Sequence, residues 1–78
     1  MTINEAVTAI EKLLLSKAGV VSAQVRPSGD DVDVIKIWVD LGASKVDTDA
    51  WAKSLDTEIR KHAPDTLPYR LEIRAETD

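Results

Sequence analysis

The sequence contains no cysteine, no phenylalanine and only one histidine among its 78 residues. Without cysteine, the chain has neither a disulfide framework nor a thiolate zinc site. The single histidine, His62, has no cysteine nucleophile to activate, and no glycine-rich phosphate loop is present. We therefore expect a protein that is not an enzyme and that holds no metal ion and no organic cofactor.

An excess of positive charge is also missing. Ten Lys and Arg stand against fourteen Asp and Glu, for a net charge of −4 spread along the chain, which argues against a nucleic-acid partner. No apolar run approaches the roughly 20 residues that span a bilayer, and the N-terminus lacks the pattern of a signal peptide. We expect one cytoplasmic domain over residues 1–78, without direct membrane insertion.

A first amphipathic helix is predicted near the N-terminus. Thr2 and Glu5 have the spacing of a capping box, and Gly19 stands where a helix commonly ends in a left-handed residue. Apolar residues between these signals recur at steps of three and four. The predicted buried stripe is Ile3, Val7, Ile10 and Leu14.

A second amphipathic helix is predicted after residue 46. Asp47 is its expected N-cap, Val46 stands where it would contact Trp51, and Pro64 ends it. The predicted buried stripe is Trp51, Leu55 and Ile59, extended by His62.

Three further segments alternate apolar and polar residues, as strands with one buried face do. They are Val21–Arg26, Val32–Leu41 and Tyr69–Ala75, and the first two are joined by a connection of four or five residues. The residues expected to face the core are Val21, Ala23, Val25, Ile35, Ile37, Val39, Leu41, Tyr69, Leu71, Ile73 and Ala75.

The element order helix, strand, strand, helix, strand predicts an α+β two-layer sandwich. A crossover through the second helix makes the second and third strands parallel, so the three-stranded sheet is mixed. Both helices must cover the same apolar sheet face, and the other face is left uncovered. Trp38 belongs to that uncovered face, and an indole there is typical of a contact surface. A second interpretation is that Trp38 lies across the sheet beneath Arg and Lys stems.

Four segments resemble the cytoplasmic C-terminal domain of the cation diffusion facilitators, which are dimeric transporters of divalent metals. They are "AGVVSAQVRPSG", "IKIWVD", "SKVDTDAWAKSLDTEI" and "YRLEIRAET". The resemblance implies a metallochaperone-like, ferredoxin-like fold and a homodimerisation and regulatory domain. It also implies an attached transmembrane transporter domain, if the chain is part of a longer protein.

The resemblance also marks four positions where family members often carry histidine ligands. Here they hold Gln24, Trp38, Trp51 and Arg74. Trp and Arg side chains offer no lone pair to a metal, so the resemblance implies a domain that lacks the usual histidine site. The expected dimer or partner surface is Gln24, Val34, Trp38 and Arg74.

Two alternatives remain open at the level of sequence. A metal-sensing domain would use His62 and carboxylates, such as those of Asp30, Asp31, Asp33 and Glu76. An adaptor or ring-building module would offer its sheet edge or its Trp38 face to a larger assembly.

Overall fold

The computed structural model describes residues 3–64 and 68–78. Its elements are helix α1 (Ile3–Ser16), strands β1 (Ser22–Pro27) and β2 (Val34–Asp40), helix α2 (Thr48–His62) and strand β3 (Arg70–Glu76). The predicted α+β class and element order are confirmed.

Helix α1 begins at Ile3; Thr2, the first residue of the expected capping box, lies outside the described residues. Val7, Ile10 and Leu14 of its predicted stripe are buried, and Ile3, at the first turn, is only partly buried against the core. Gly19 follows the helix with φ +89°, in the left-handed region that favours glycine. The chain can therefore turn sharply from α1 into β1.

Helix α2 begins at the predicted N-cap. One carboxylate oxygen of Asp47 accepts hydrogen bonds from the backbone N–H groups of Asp49 and Ala50, at 3.0 and 3.2 Å. Leu55 and Ile59 are fully buried. Trp51 is partly buried and packs against the core, whereas Val46, its expected contact, is exposed.

The expectation that His62 extends the buried stripe is wrong, because His62 is exposed. It is the last residue of α2, and Ala63 leaves helical geometry with φ −133° and ψ 71°. The packed part of the helix therefore ends one turn earlier, at Ile59.

The sheet has the order β1-β2-β3, with β1 antiparallel and β3 parallel to β2. Helix α1 packs against β1 and helix α2 against β3, on the same sheet face. The inward residues of the central strand are almost completely buried, whereas those of the edge strand β3 are only partly buried. The core residues of β2 and its end are Ile35, Ile37, Val39 and Leu41.

Every strand boundary differs from the prediction by one or two residues, and the starts of β1 and β2 matter most. Val21 is not a core residue: it precedes β1, is 68% exposed and has a methyl group directly over Gly42. Its N–H still donates to the carbonyl of Asp40, at 2.9 Å. Strand β2 begins at Val34 rather than Val32, so residues 28–33 form a connection of six residues.

Candidate functional site

The sheet face opposite the helices is the candidate site, and we call it the open face. It carries the outward side chains of all three strands, since successive residues of a strand point to opposite faces. These are Ser22, Gln24 and Arg26 of β1, Val34, Lys36, Trp38 and Asp40 of β2, and Arg70, Glu72, Arg74 and Glu76 of β3.

Three of the four expected surface residues form one row across this face. Gln24 pairs with Trp38 in the antiparallel register, and Trp38 pairs with Arg74 in the parallel register. We call Gln24, Trp38 and Arg74 the central row. Directly paired residues on one sheet face have Cβ atoms about 5 Å apart. Three separate segments therefore meet around one indole.

Trp38 is partly buried without belonging to the hydrophobic core. The helices lie on the other side of the sheet, so the partial cover of the indole comes from neighbours on the open face. Side chains as long as those of Lys36 and Arg74 can cover an aromatic ring with their aliphatic stems. Part of the ring still contacts solvent.

Val34, the fourth expected surface residue, is on the predicted face but is only 5% exposed. It is also not part of the core cluster. Its strand neighbours are Ser28, whose N–H donates to the Val34 carbonyl at 2.9 Å, and Arg70. A valine is small enough to be covered by adjacent strands, so Val34 supports the open face but offers it little contact area.

The charges of the open face are partly paired within the chain. Arg70 contacts Glu72 at 3.6 Å, and Arg74 contacts Glu76 at 2.9 Å. Arg26 donates to the side-chain oxygen of Gln24 at 3.4 Å. The β3 side of the face is therefore close to neutral.

A shallow depression of about 610 Å³ lies beside Trp38 on the open face. Its lining combines the indole with charged side chains from all three strands, including Arg26, Lys36 and Glu72. Small-molecule sites are usually enclosed and mostly apolar. An open, mixed-charge depression around one aromatic ring is more typical of a protein contact surface.

Of the other predicted functional residues, Glu76 lies on the open face, paired with Asp40 in the sheet register, and the rest lie away from it. Trp51 is in the helical layer, so it does not join the three other positions that the resemblance marks. His62 is exposed at the end of α2, and Asp30, Asp31 and Asp33 are exposed in the connection before β2. Among residues 3–64 and 68–78, no three His, Cys, Asp or Glu side chains are grouped so that they could hold a metal ion.

Within the same described residues, no helix combines the length and the apolar character needed to cross a bilayer. Comparison with known protein families, with curated proteins and with solved structures gave no significant match to this chain.

Proposed function

We propose that this chain is a non-enzymatic dimerisation module, in which a second copy covers the open face. In the setting that the resemblance implies, it is a regulatory domain on the cytoplasmic side of a divalent-metal transporter, without the usual histidine ligands. The observation that carries the proposal is the position of Trp38, at the centre of a sheet face that the chain's own helices do not cover.

Burial of the Trp38 indole is the main energetic gain that a second copy offers. Complete burial of a large apolar side chain contributes about 2 to 3 kcal/mol relative to exposure, and Trp38 is only partly buried in the single chain. Tryptophan is among the residues most enriched at the centres of protein interfaces. Covering Trp38 is therefore the largest single gain available on this face.

The size of the domain favours a second copy over a self-sufficient monomer. A domain of 78 residues buries only slightly more than about 60% of the surface that its unfolded chain exposes. One sheet layer and one helix layer leave half of the sheet surface without a packing partner. Pairing two open faces would cover the Trp38 indole and the aliphatic stems of the charged side chains around it.

The area of the face indicates how strong the dimer should be. Three strands about 4.8 Å apart, rising about 3.3 Å per residue, give a face of roughly 14 by 23 Å. Stacking two such faces covers about 640 Å² in total, below the roughly 1,200 Å² at which stable specific interfaces begin and in the range of weak, transient ones. We therefore expect a reversible dimer with a micromolar dissociation constant.

Sedimentation velocity of the wild type from low micromolar to millimolar concentration tests this expectation. The dissociation constant of the Trp38→Ala variant should be at least tenfold higher than that of the wild type, because each 1.4 kcal/mol of lost contact energy is about a tenfold change in Kd. Leu15→Ala is the matched control, since Leu15 is a large side chain, 72% exposed, on helix α1. It should leave the Kd unchanged.

Far-UV circular dichroism must show that both variants remain folded. A wild type that stays monomeric at millimolar concentration would refute the proposal. A dimer that Trp38→Ala does not weaken would refute the role of the open face. The attachment to a transporter has its own test, because it predicts membrane-spanning segments encoded in the same reading frame.

A further inference from the structure

The charges of the open face are distributed unevenly along the strands. Lys36 and Arg26 lie side by side in one row, on one side of Trp38. Asp40 and Glu76 lie side by side in another row, on the other side of Trp38. The indole therefore separates a basic row from an acidic row.

Ion pairs within the chain neutralise some of the charges on the open face. Glu76 already contacts Arg74, and Glu72, the third member of the basic row, contacts Arg70. Lys36 is exposed and has no ion pair with the described residues. On β2 the face thus presents an unpaired lysine, an indole and an aspartate in succession.

Asp40 is held in a fixed position at its end of this series. One of its carboxylate oxygens accepts a hydrogen bond from the backbone N–H of Gly42 at 2.8 Å. Because a carboxylate has two oxygens with several lone pairs, the remaining acceptor sites can bind a cation from another molecule.

A symmetric dimer that stacks two open faces needs a two-fold axis in the plane of the interface. An axis along the strands would place Lys36 against Lys36 and Asp40 against Asp40. It would also exchange the edge strands, so that Arg26 faces Glu72 of the partner subunit, whose charge is already paired with Arg70. An axis across the strands reverses the direction of the second sheet and places Lys36 against Asp40 of the partner subunit. Like charges in register are costly, and opposite charges fix the orientation of an interface.

We propose that the two copies stack with their strands antiparallel, about a two-fold axis that follows the central row. This inference rests on the proposed function, because it assumes that the open faces meet. Trp38 of each chain lies near the axis, against Trp38 of the partner subunit. Lys36 of each chain forms an ion pair with Asp40 of the partner subunit, which gives two symmetry-related pairs. On the β3 side, Glu72 faces Glu76 of the partner subunit and Arg74 faces Arg74 of the partner subunit, but all three side chains keep their ion-pair partners within their own chain.

A double-mutant cycle on the dimer dissociation constant tests the orientation. Lys36→Gln removes the lysine charge. Asp40→Asn removes the carboxylate charge and keeps a side-chain oxygen for the Gly42 N–H. Within one chain the two residues are four apart on a strand, about 13 Å, so little direct coupling arises inside the monomer.

We expect Lys36→Gln to raise the dissociation constant about fivefold, from two exposed ion pairs of ordinary strength. Asp40→Asn added to Lys36→Gln should change it less than about twofold, because the pair is already broken. Lys53→Gln is the matched control, since Lys53 is an exposed lysine on the outer side of α2. It removes the same charge and should leave the dissociation constant within about twofold.

The alternative orientation predicts the opposite sign. With the axis along the strands, Lys36→Gln relieves a repulsion and tightens the dimer. A tighter dimer, or additive effects of the two substitutions, would overturn the antiparallel arrangement while leaving dimerisation itself intact. A wild type that never dimerises would instead refute the proposed function, so the two failures are distinguishable.

Discussion

The glycines of this small domain differ in what they do for the fold. Gly42 has φ +64°, and a Cβ added there would lie 2.9 Å from a methyl carbon of Val21. Gly19 also has positive φ, +89°, but has open space around it. Gly29 has neither feature. Substitutions at these three positions therefore distinguish the free-energy cost of backbone strain from the cost of a steric contact.

Alanine substitutions at these three glycines should therefore differ in how much they lower the free energy of unfolding. Gly29→Ala should change the free energy of unfolding by less than about 0.5 kcal/mol. Gly19→Ala should cost about 1 kcal/mol, for a left-handed residue with a side chain. Gly42→Ala should cost about 2 kcal/mol, because the contact with Val21 adds to the strain. Urea denaturation at one fixed protein concentration measures all three free energies of unfolding. A Gly42→Ala variant as stable as the wild type would contradict this order and show that the turn rearranges to accept a side chain.

At the residue scale, local signals were predictable and contacts between distant residues were not. Asp47 was predictable as an N-cap because a cap depends on residues within one turn. The exposure of Val21 was not predictable, since alternation places a residue on a face but does not show where the strand begins. Val34 illustrates the same limit: its face follows from alternation, but its burial depends on the neighbouring strands.

The two helices are joined to each other by an ion pair as well as by the core. Nζ of Lys17, just after α1, lies 2.6 Å from a carboxylate oxygen of Glu58 in α2. The two side chains are 27% and 32% exposed, and they are 41 residues apart in the sequence. This contact ties the end of one helix to the middle of the other.

A double-mutant cycle with Lys17→Met and Glu58→Gln should give a coupling free energy of about 0.5 to 1 kcal/mol, because both groups are partly exposed. Added salt should reduce it. The same cycle with Lys12→Met in place of Lys17→Met is the control, since Lys12 is exposed on α1. It should show no coupling. Equal coupling in the two cycles would mean that the effect is general charge balance rather than this contact.

At the element scale, the fold followed from periodicity because each element has a clear polar and apolar side. The stripe of α1 and the alternation of β2 predicted which residues pack inward, and the structure confirms them. The contact between Lys17 and Glu58 could not be predicted, because it depends on how far apart the helices lie on the sheet. The end of packing at Ile59 likewise depends on the tertiary structure, since His62 continues the helical spacing.

At the scale of the whole molecule, the two faces of the sheet differ in what covers them. One sheet face is covered by helices, and the other presents Trp38 between a basic and an acidic row. Sequence alternation predicted the indole on that face. It could not predict that Gln24 and Arg74 would lie in register beside it, because register is set by pairing between strands that are distant in sequence.

The fluorescence of Trp38 tests most directly whether a second copy covers the open face. The chain has two tryptophans, so Trp51→Phe leaves Trp38 as the only indole. We predict that its emission shifts to shorter wavelength as protein concentration rises, with the midpoint that sedimentation gives for dimer formation. Emission that stays unchanged from low micromolar to millimolar concentration would contradict the account.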